Sequence, residues 1–94
     1  MDKTELFEAL TELQKINEEL TTRQLTVLVD ISRRNGIIGR ELADNAGLTA
    51  TSVTRIVDQF EEAGLVKRRE VYGDRRMKFV FTTELGDKVV DSLI

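Results

Sequence analysis

The chain contains no cysteine, no histidine, no proline and no tryptophan, and these absences remove whole classes of chemistry. Without cysteine there are no disulfides, no thiolate nucleophile and no thiol redox sensor; without histidine as well, the commonest zinc ligands are gone. Catalysis is poorly equipped, because Ser52 has no imidazole to act as its base and the carboxylates fall on solvated helix faces rather than in metal-ligand clusters. The sequence therefore does not read as an enzyme, and no cofactor or metal is expected. Long apolar runs are missing too: nothing approaches the roughly 20 consecutive apolar residues of a membrane span. Met1-Asp2-Lys3-Thr4-Glu5 has neither the basic start nor the apolar core of a signal peptide, so a cytoplasmic location without a membrane partner is expected.

What the 94 residues do contain is 40 % hydrophobic and 33 % charged side chains, the balance of a soluble globular protein. A single domain over residues 1–94 is expected. A chain of this size encloses a modest core, so a second copy covering more apolar surface is a natural supplement. The formal net charge of −3, taken alone, argues against a polyanionic partner, but the charge is unevenly placed. Residues 67–78 carry six bases against two acids, whereas residues 1–20 carry two bases against six acids and residues 79–94 one against three. A basic stripe on an acidic body binds polyanions locally while the body orients the approach.

Hydrophobic spacing divides the chain into five helices and a hairpin. Residues 2–20 place Leu6, Leu10, Leu13 and Leu20 on a heptad-like stripe flanked by Phe7, Ala9 and Ile16, wider than a two-stranded seam needs. A helix shared in a dimer interface is expected there, with a terminal helix lying on its own domain as the alternative. Thr21 or Thr22 caps the next helix, Gln24 completes a capping box with Thr21, and Leu25, Leu28, Val29 and Ile31 give the buried face. Asn35-Gly36 ends it, and Ile37-Ile38 is long enough only for a bridge-like strand. Residues 39–45 are helical again, Gly47-Leu48 makes a tight turn with Leu48 plugging the angle, and Thr49 caps a fourth helix over residues 50–63. Residues 37–63 thus have the geometry of a helix-turn-helix unit.

On the fourth helix Val53, Ile56, Val57 and Phe60 follow the i, i+3, i+4, i+7 rule and face the core. That leaves Thr51, Ser52, Thr54 and Arg55 in an exposed N-terminal half and Asp58, Glu61 and Glu62 in an acidic C-terminal half. Only the N-terminal half approaches phosphates without repulsion, the ordering needed by a helix that enters a major groove by its N-terminal end. Gly64 stops the helix. Within residues 65–82, the segments 65–71 and 77–82 read as strands around Tyr72-Gly73-Asp74, a hairpin bearing Lys67, Arg68, Arg69, Arg75, Arg76 and Lys78. Thr83 caps a last helix within residues 83–94, with Val89, Val90 and Leu93 apolar. The fold class is mainly α with a β-hairpin (α+β): a winged helix-turn-helix with an N-terminal amphipathic helix and a short C-terminal helix.

The runs Gly39-Arg40-Glu41-Leu42-Ala43, Gly47-Leu48-Thr49, Val53-Thr54-Arg55-Ile56-Val57-Asp58, Glu62-Ala63-Gly64-Leu65-Val66, Asp74-Arg75-Arg76 and Leu85-Gly86, in that order, resemble the multiple-antibiotic-resistance regulator (MarR) family over residues 20–94. The Asp-x-Arg of the wing and the Thr-x-x-Gly after it are the most specific pieces. The resemblance implies a transcription regulator of bacterial, archaeal or phage origin, expected to repress, that binds a palindromic double-stranded DNA operator as a homodimer. It implies that Thr51, Ser52 and Arg55 reach the major groove with Thr54 at the flank, that Arg76 enters the minor groove, and that Asp74 orients it. Arg40, Thr49, Arg75 and Lys78 complete the expected DNA-binding set, and Leu6, Leu10, Leu13, Leu20, Val90 and Leu93 form the expected dimer interface. Members of the family are longer, with helices from both ends building the dimer around a ligand pocket; a shortened member is expected here, with no effector site assigned.

Plainer readings accompany several of these residues. Arg55 and Asp58 also suit an exposed ion pair, Thr49 a cap with no contact, and Lys67, Arg68 and Arg69 a charged guard on an edge strand. A protein-interaction module that docks a regulator or polymerase subunit through its acidic first helix is the alternative function; a hairpin of net charge +4 argues against it.

Overall fold

Short-range hydrogen bonds start the helices where the sequence places them. The Thr21 N–H donates to Gln24 Oε1 (2.8 Å) and the Gln24 N–H to Thr21 Oγ1 (3.2 Å), a reciprocal box that satisfies two otherwise unpaired groups. The computed structural model describes residues 2–16, 21–34, 36–71 and 73–93, with the backbone alone for residues 9, 10, 12–16, 71 and 74–76. Its elements are α1 (Lys3–Ile16), α2 (Thr22–Arg34), β1 (Ile37–Ile38), α3 (Gly39–Ala46), α4 (Ala50–Glu62), β2 (Val66–Val71), β3 (Asp74–Thr82) and α5 (Glu84–Ser92). This is the expected mainly helical winged-helix architecture.

The buried face of α2 is rotated from the expected one. Val27, Leu28 and Ile31 are fully buried, whereas Leu25 is half-buried and Val29 is 39 % exposed. Apolar residues line more than one side of this helix, and its packing against α3, α4 and α5 selects the stripe that goes inward. Asp30 is buried on the same helix, where its carboxylate accepts from Arg33 Nε (2.7 Å) and Asn45 Nδ2 (2.9 Å). The second bond ties α2 to α3.

Between α3 and α4 the chain turns on Gly47, whose φ of 68° lies in the left-handed region that costs a glycine nothing. The Leu48 N–H then donates to the Ala43 carbonyl at 2.9 Å, and the Leu48 side chain packs partly buried on the core, as the plug the sequence suggested. Val53, Ile56, Val57 and Phe60 bury the inner face of α4, against a core that includes Leu28, Leu42, Leu65 and Val89.

The sheet is antiparallel in the order β1-β3-β2, with Ile37 opposite Val80 and Val66 opposite Thr82. β3 starts at Asp74, three residues before the expected Met77. The pairing explains the difference: Glu70 faces Lys78 but Val71 faces Asp74, so Arg75, Arg76 and Met77 have no opposite number on β2. A short connection closes the hairpin at Val71 and Asp74, and the surplus is taken up as a bulge on one strand.

α5 is seated by Thr83 and Gly86. The Thr83 hydroxyl accepts from the Gly86 N–H (3.1 Å) and donates to the Gly64 carbonyl (2.6 Å). A Cβ at position 86 would stand 2.1 Å from the Leu65 carbonyl oxygen, so only glycine admits this approach. Thr82 donates to Asp87 Oδ1 (2.5 Å), which also accepts from Ser32 of α2 (3.1 Å). α1 rests on α5 and α4 of its own domain, with Leu6 packed against the core and Glu5 Oε2 3.8 Å from Lys88 Nζ.

Candidate nucleic-acid interface

Three stripes run along the solvent side of α4, and each faces a different neighbour. Thr51 and Arg55 stand on the crest with Asp58, and all three are exposed. Toward the wing, Ala50 and Thr54 border a cleft of about 510 Å³ whose other walls include Arg40 of α3 and Met77 and Lys78 of β3. Toward α2, Ser52, Arg55 and Gln59 border a smaller hollow with Thr21, Arg23 and Gln24. Arg40, Arg55 and Lys78 are exposed and make no ion pair among the described residues, so three full positive charges surround the N-terminal half of the helix.

Thr49 is the N-cap. Its hydroxyl accepts from the Ser52 N–H (3.1 Å) and donates to Ser52 Oγ (3.0 Å), which leaves Ser52 half-buried and already engaged. Of the hydroxyls in this half of the helix, Thr51 and Thr54 are the ones that stand exposed beyond the capping turn.

Two acids of the C-terminal half of α4, Asp58 and Glu61, are bonded from the wing, and Glu62 stays exposed. Arg68 of β2 places Nη2 2.6 Å from Asp58 Oδ1 and Nη1 2.9 Å from Glu61 Oε1, and its own side chain is 19 % exposed. Two carboxylates one turn apart, at i and i+3 on one face, are therefore gathered by a single guanidinium fork. Asp58 has Arg68 as its partner, not Arg55, and Arg68 is a brace between helix and wing rather than a free edge-strand charge. Periodicity could not reveal this pair, because it spans the Gly64 turn between two elements. The neighbouring Lys67 and Arg69 remain exposed.

At the hairpin end the backbone of 74–76 belongs to β3, while the side chains of Asp74, Arg75 and Arg76 lie outside the described residues, as does Tyr72. Of the residues expected at a dimer interface, Leu20 and the side chains of Leu10 and Leu13 also lie outside them. Leu6 is half-buried on its own domain, and Leu93 is 49 % exposed. Val90 is corrected: at 5 % exposure it belongs to the core of its own protomer, because the α5 turn that carries Val89 inward takes Val90 with it. Among the described side chains of α1, Phe7 is an open apolar residue, at 70 % exposure.

Comparison with known proteins gives this geometry a setting. Residues 20–78 match the MarR family. The chain is 32 % identical over 81 residues to transcriptional repressor MprA of Escherichia coli strain K12, an alignment covering 86 % of this chain and 45 % of that protein. Among solved structures, the crystal structure of MarR superposes with a TM-score of 0.73 at 28 % identity, covering 88 % of this chain and 59 % of that one. The fold is also that of the S. aureus MepR–DNA complex, with a TM-score of 0.73 at 22 % identity over 90 % of this chain and 68 % of that one. The chain spans about half the length of the curated repressor it matches. Among the described residues no helix is long and apolar enough to cross a membrane.

Proposed function

This chain belongs to the MarR family, a family of transcription regulators, and on that premise we propose that it represses transcription in the cytoplasm as a homodimer bound to double-stranded DNA. The observation that carries the reading is the charge arrangement on α4. Its N-terminal half is ringed by Arg40, Arg55 and Lys78, which have no ion pair among the described residues, while the carboxylates of Asp58 and Glu61 are held by Arg68. A major groove about 12 Å wide admits one helix and presents phosphates along both of its walls. Thr51 and Arg55 on the crest then meet base edges, Thr54 stands at the flank, and Arg40 and Lys78 meet the phosphate wall on the wing side. The hairpin end that carries Asp74, Arg75 and Arg76 reaches the neighbouring minor groove, where a guanidinium is drawn to the negative potential of a narrow groove. The MepR relative solved with DNA has the same fold, which supports the choice of partner.

Two copies related by a two-fold axis read two half-sites, so a palindrome with half-sites about 10 bp apart, or a multiple of one helical turn, is the expected operator. α1 and the exposed end of α5 at Leu93 are the surfaces proposed to join them. The test is a titration of labelled duplex with the Arg40→Gln, Lys78→Gln double variant across a salt series. Loss of two phosphate contacts is expected to flatten the slope of log K against log salt by about two units; an unchanged slope would remove both residues from the interface.

A further inference from the structure

The flank of α4 that faces away from the wing carries its own cationic hollow. Gln24 of α2 is buried to 5 % exposure and is fully engaged: its Oε1 accepts from the Thr21 N–H at 2.8 Å, and its Nε2 donates to Gln59 Oε1 at 3.1 Å. That second bond fixes the first turn of α2 against the middle of α4. Arg23, the adjacent residue, is thereby held beside Arg55, which lies one turn of α4 from Gln59, and the two border one hollow with Ser52. Both arginines are exposed, and neither has an ion-pair partner among the described residues. Asp58, which shares the crest with Arg55, is bonded to Arg68 from the wing side, as is Glu61, while Glu62 is exposed near the end of the helix.

We propose that the hollow between Arg23 and Arg55 is a second phosphate seat, which grips the DNA backbone on the wall of the major groove opposite the one met by Arg40 and Lys78. The inference rests on the DNA-binding reading given above and assigns the second wall, which that reading leaves open. A helix lying in a groove between two phosphate rails is held in orientation only if both rails are gripped; cations on one side alone leave it free to roll about its own axis. Arg40 and Lys78 sit on the wing side of α4, and Arg23 and Arg55 on the α2 side, so the two pairs straddle the crest where Thr51 stands. Arg55 accordingly serves the backbone as well as the crest, and Arg23 is a DNA-contact residue that no feature of the sequence pattern marks.

The test uses the full chain and a labelled 30-base-pair duplex of random sequence, read by fluorescence anisotropy across a salt series. Arg23→Gln is expected to weaken binding several-fold on every duplex and to flatten the slope of log K against log salt by about one unit, the signature of one lost phosphate contact. Arg23→Lys, which keeps the charge, is expected to retain the slope. Arg34→Gln, at the other end of the same helix and about 16 Å away at 1.5 Å per residue, is expected to change neither quantity. An Arg23→Gln variant that unfolds at the wild-type temperature and binds with the wild-type slope overturns the seat while leaving the DNA reading intact. A wild-type chain that binds no duplex at low salt overturns both.

Discussion

At Arg68 a single side chain settles the electrostatics of the recognition surface. Its two bonds to Asp58 and Glu61 set one positive charge against two carboxylates on the helix face and so weaken their repulsion of phosphate, and they fix the wing strand at one distance from α4. The carboxylates it holds are 61 % and 45 % exposed, so the pairs themselves add little to stability, under about 1 kcal/mol each. Arg68→Ala is therefore expected to leave the thermal midpoint nearly unchanged but to weaken DNA binding roughly tenfold at low salt, with a smaller deficit as screening increases. Parallel melting curves and binding isotherms would separate the two effects. Thr49 is the complementary case: as the cap of α4 it is expected to cost about 1 kcal/mol of stability on replacement by alanine and to be rescued by Asp, measured by urea unfolding. Thr49, Leu48 and the Thr21–Gln24 box were legible in the sequence because each interaction spans three to five residues. Arg68 was not, since its partners lie seven and ten residues away across the Gly64 turn.

The elements show the same division between local and distant causes. The inner face of α4 and the tight turn at Gly47 could be read from spacing alone, because a helix already committed to one apolar stripe has one way to bury it. α2 could not be oriented this way: Leu25 and Val29 are as apolar as Val27 and Ile31, and the choice between stripes is made by α3, α4 and α5. The hairpin was legible as a hairpin, but the bulge at residues 75–77 depends on where the connection closes, which strand propensity does not specify. Val90 was placed at a subunit surface by its apolar character and is instead a core residue, since the seating of α5 on Leu65 fixes which turn faces inward. That seating is itself testable. Gly86→Ala puts a methyl where the Leu65 carbonyl oxygen already stands, and a loss of about 1–3 kcal/mol is expected from the displaced helix, seen as a lower urea midpoint at constant slope.

Along the whole chain the charge is unevenly placed, with an acidic first segment and a basic hairpin segment, so a net charge of −3 coexists with a surface suited to DNA. α1 lies against α5 and α4 of its own domain through Leu6, yet leaves Phe7 open, and Leu93 at the end of α5 is half exposed. If α1 joins two copies, removal of residues 1–20 is expected to give a monomer by sedimentation velocity, and a fragment that still sediments as a dimer would move the interface elsewhere. The central claim, that the α4 face and the wing together read an operator, is tested most directly by selecting bound sequences from a random duplex pool with the full chain at two salt concentrations. Enrichment of a two-fold symmetric site, with affinity falling steeply between the two salts, is the expected result. A pool that emerges without symmetry or enrichment, or that is never bound at low salt, would contradict the account.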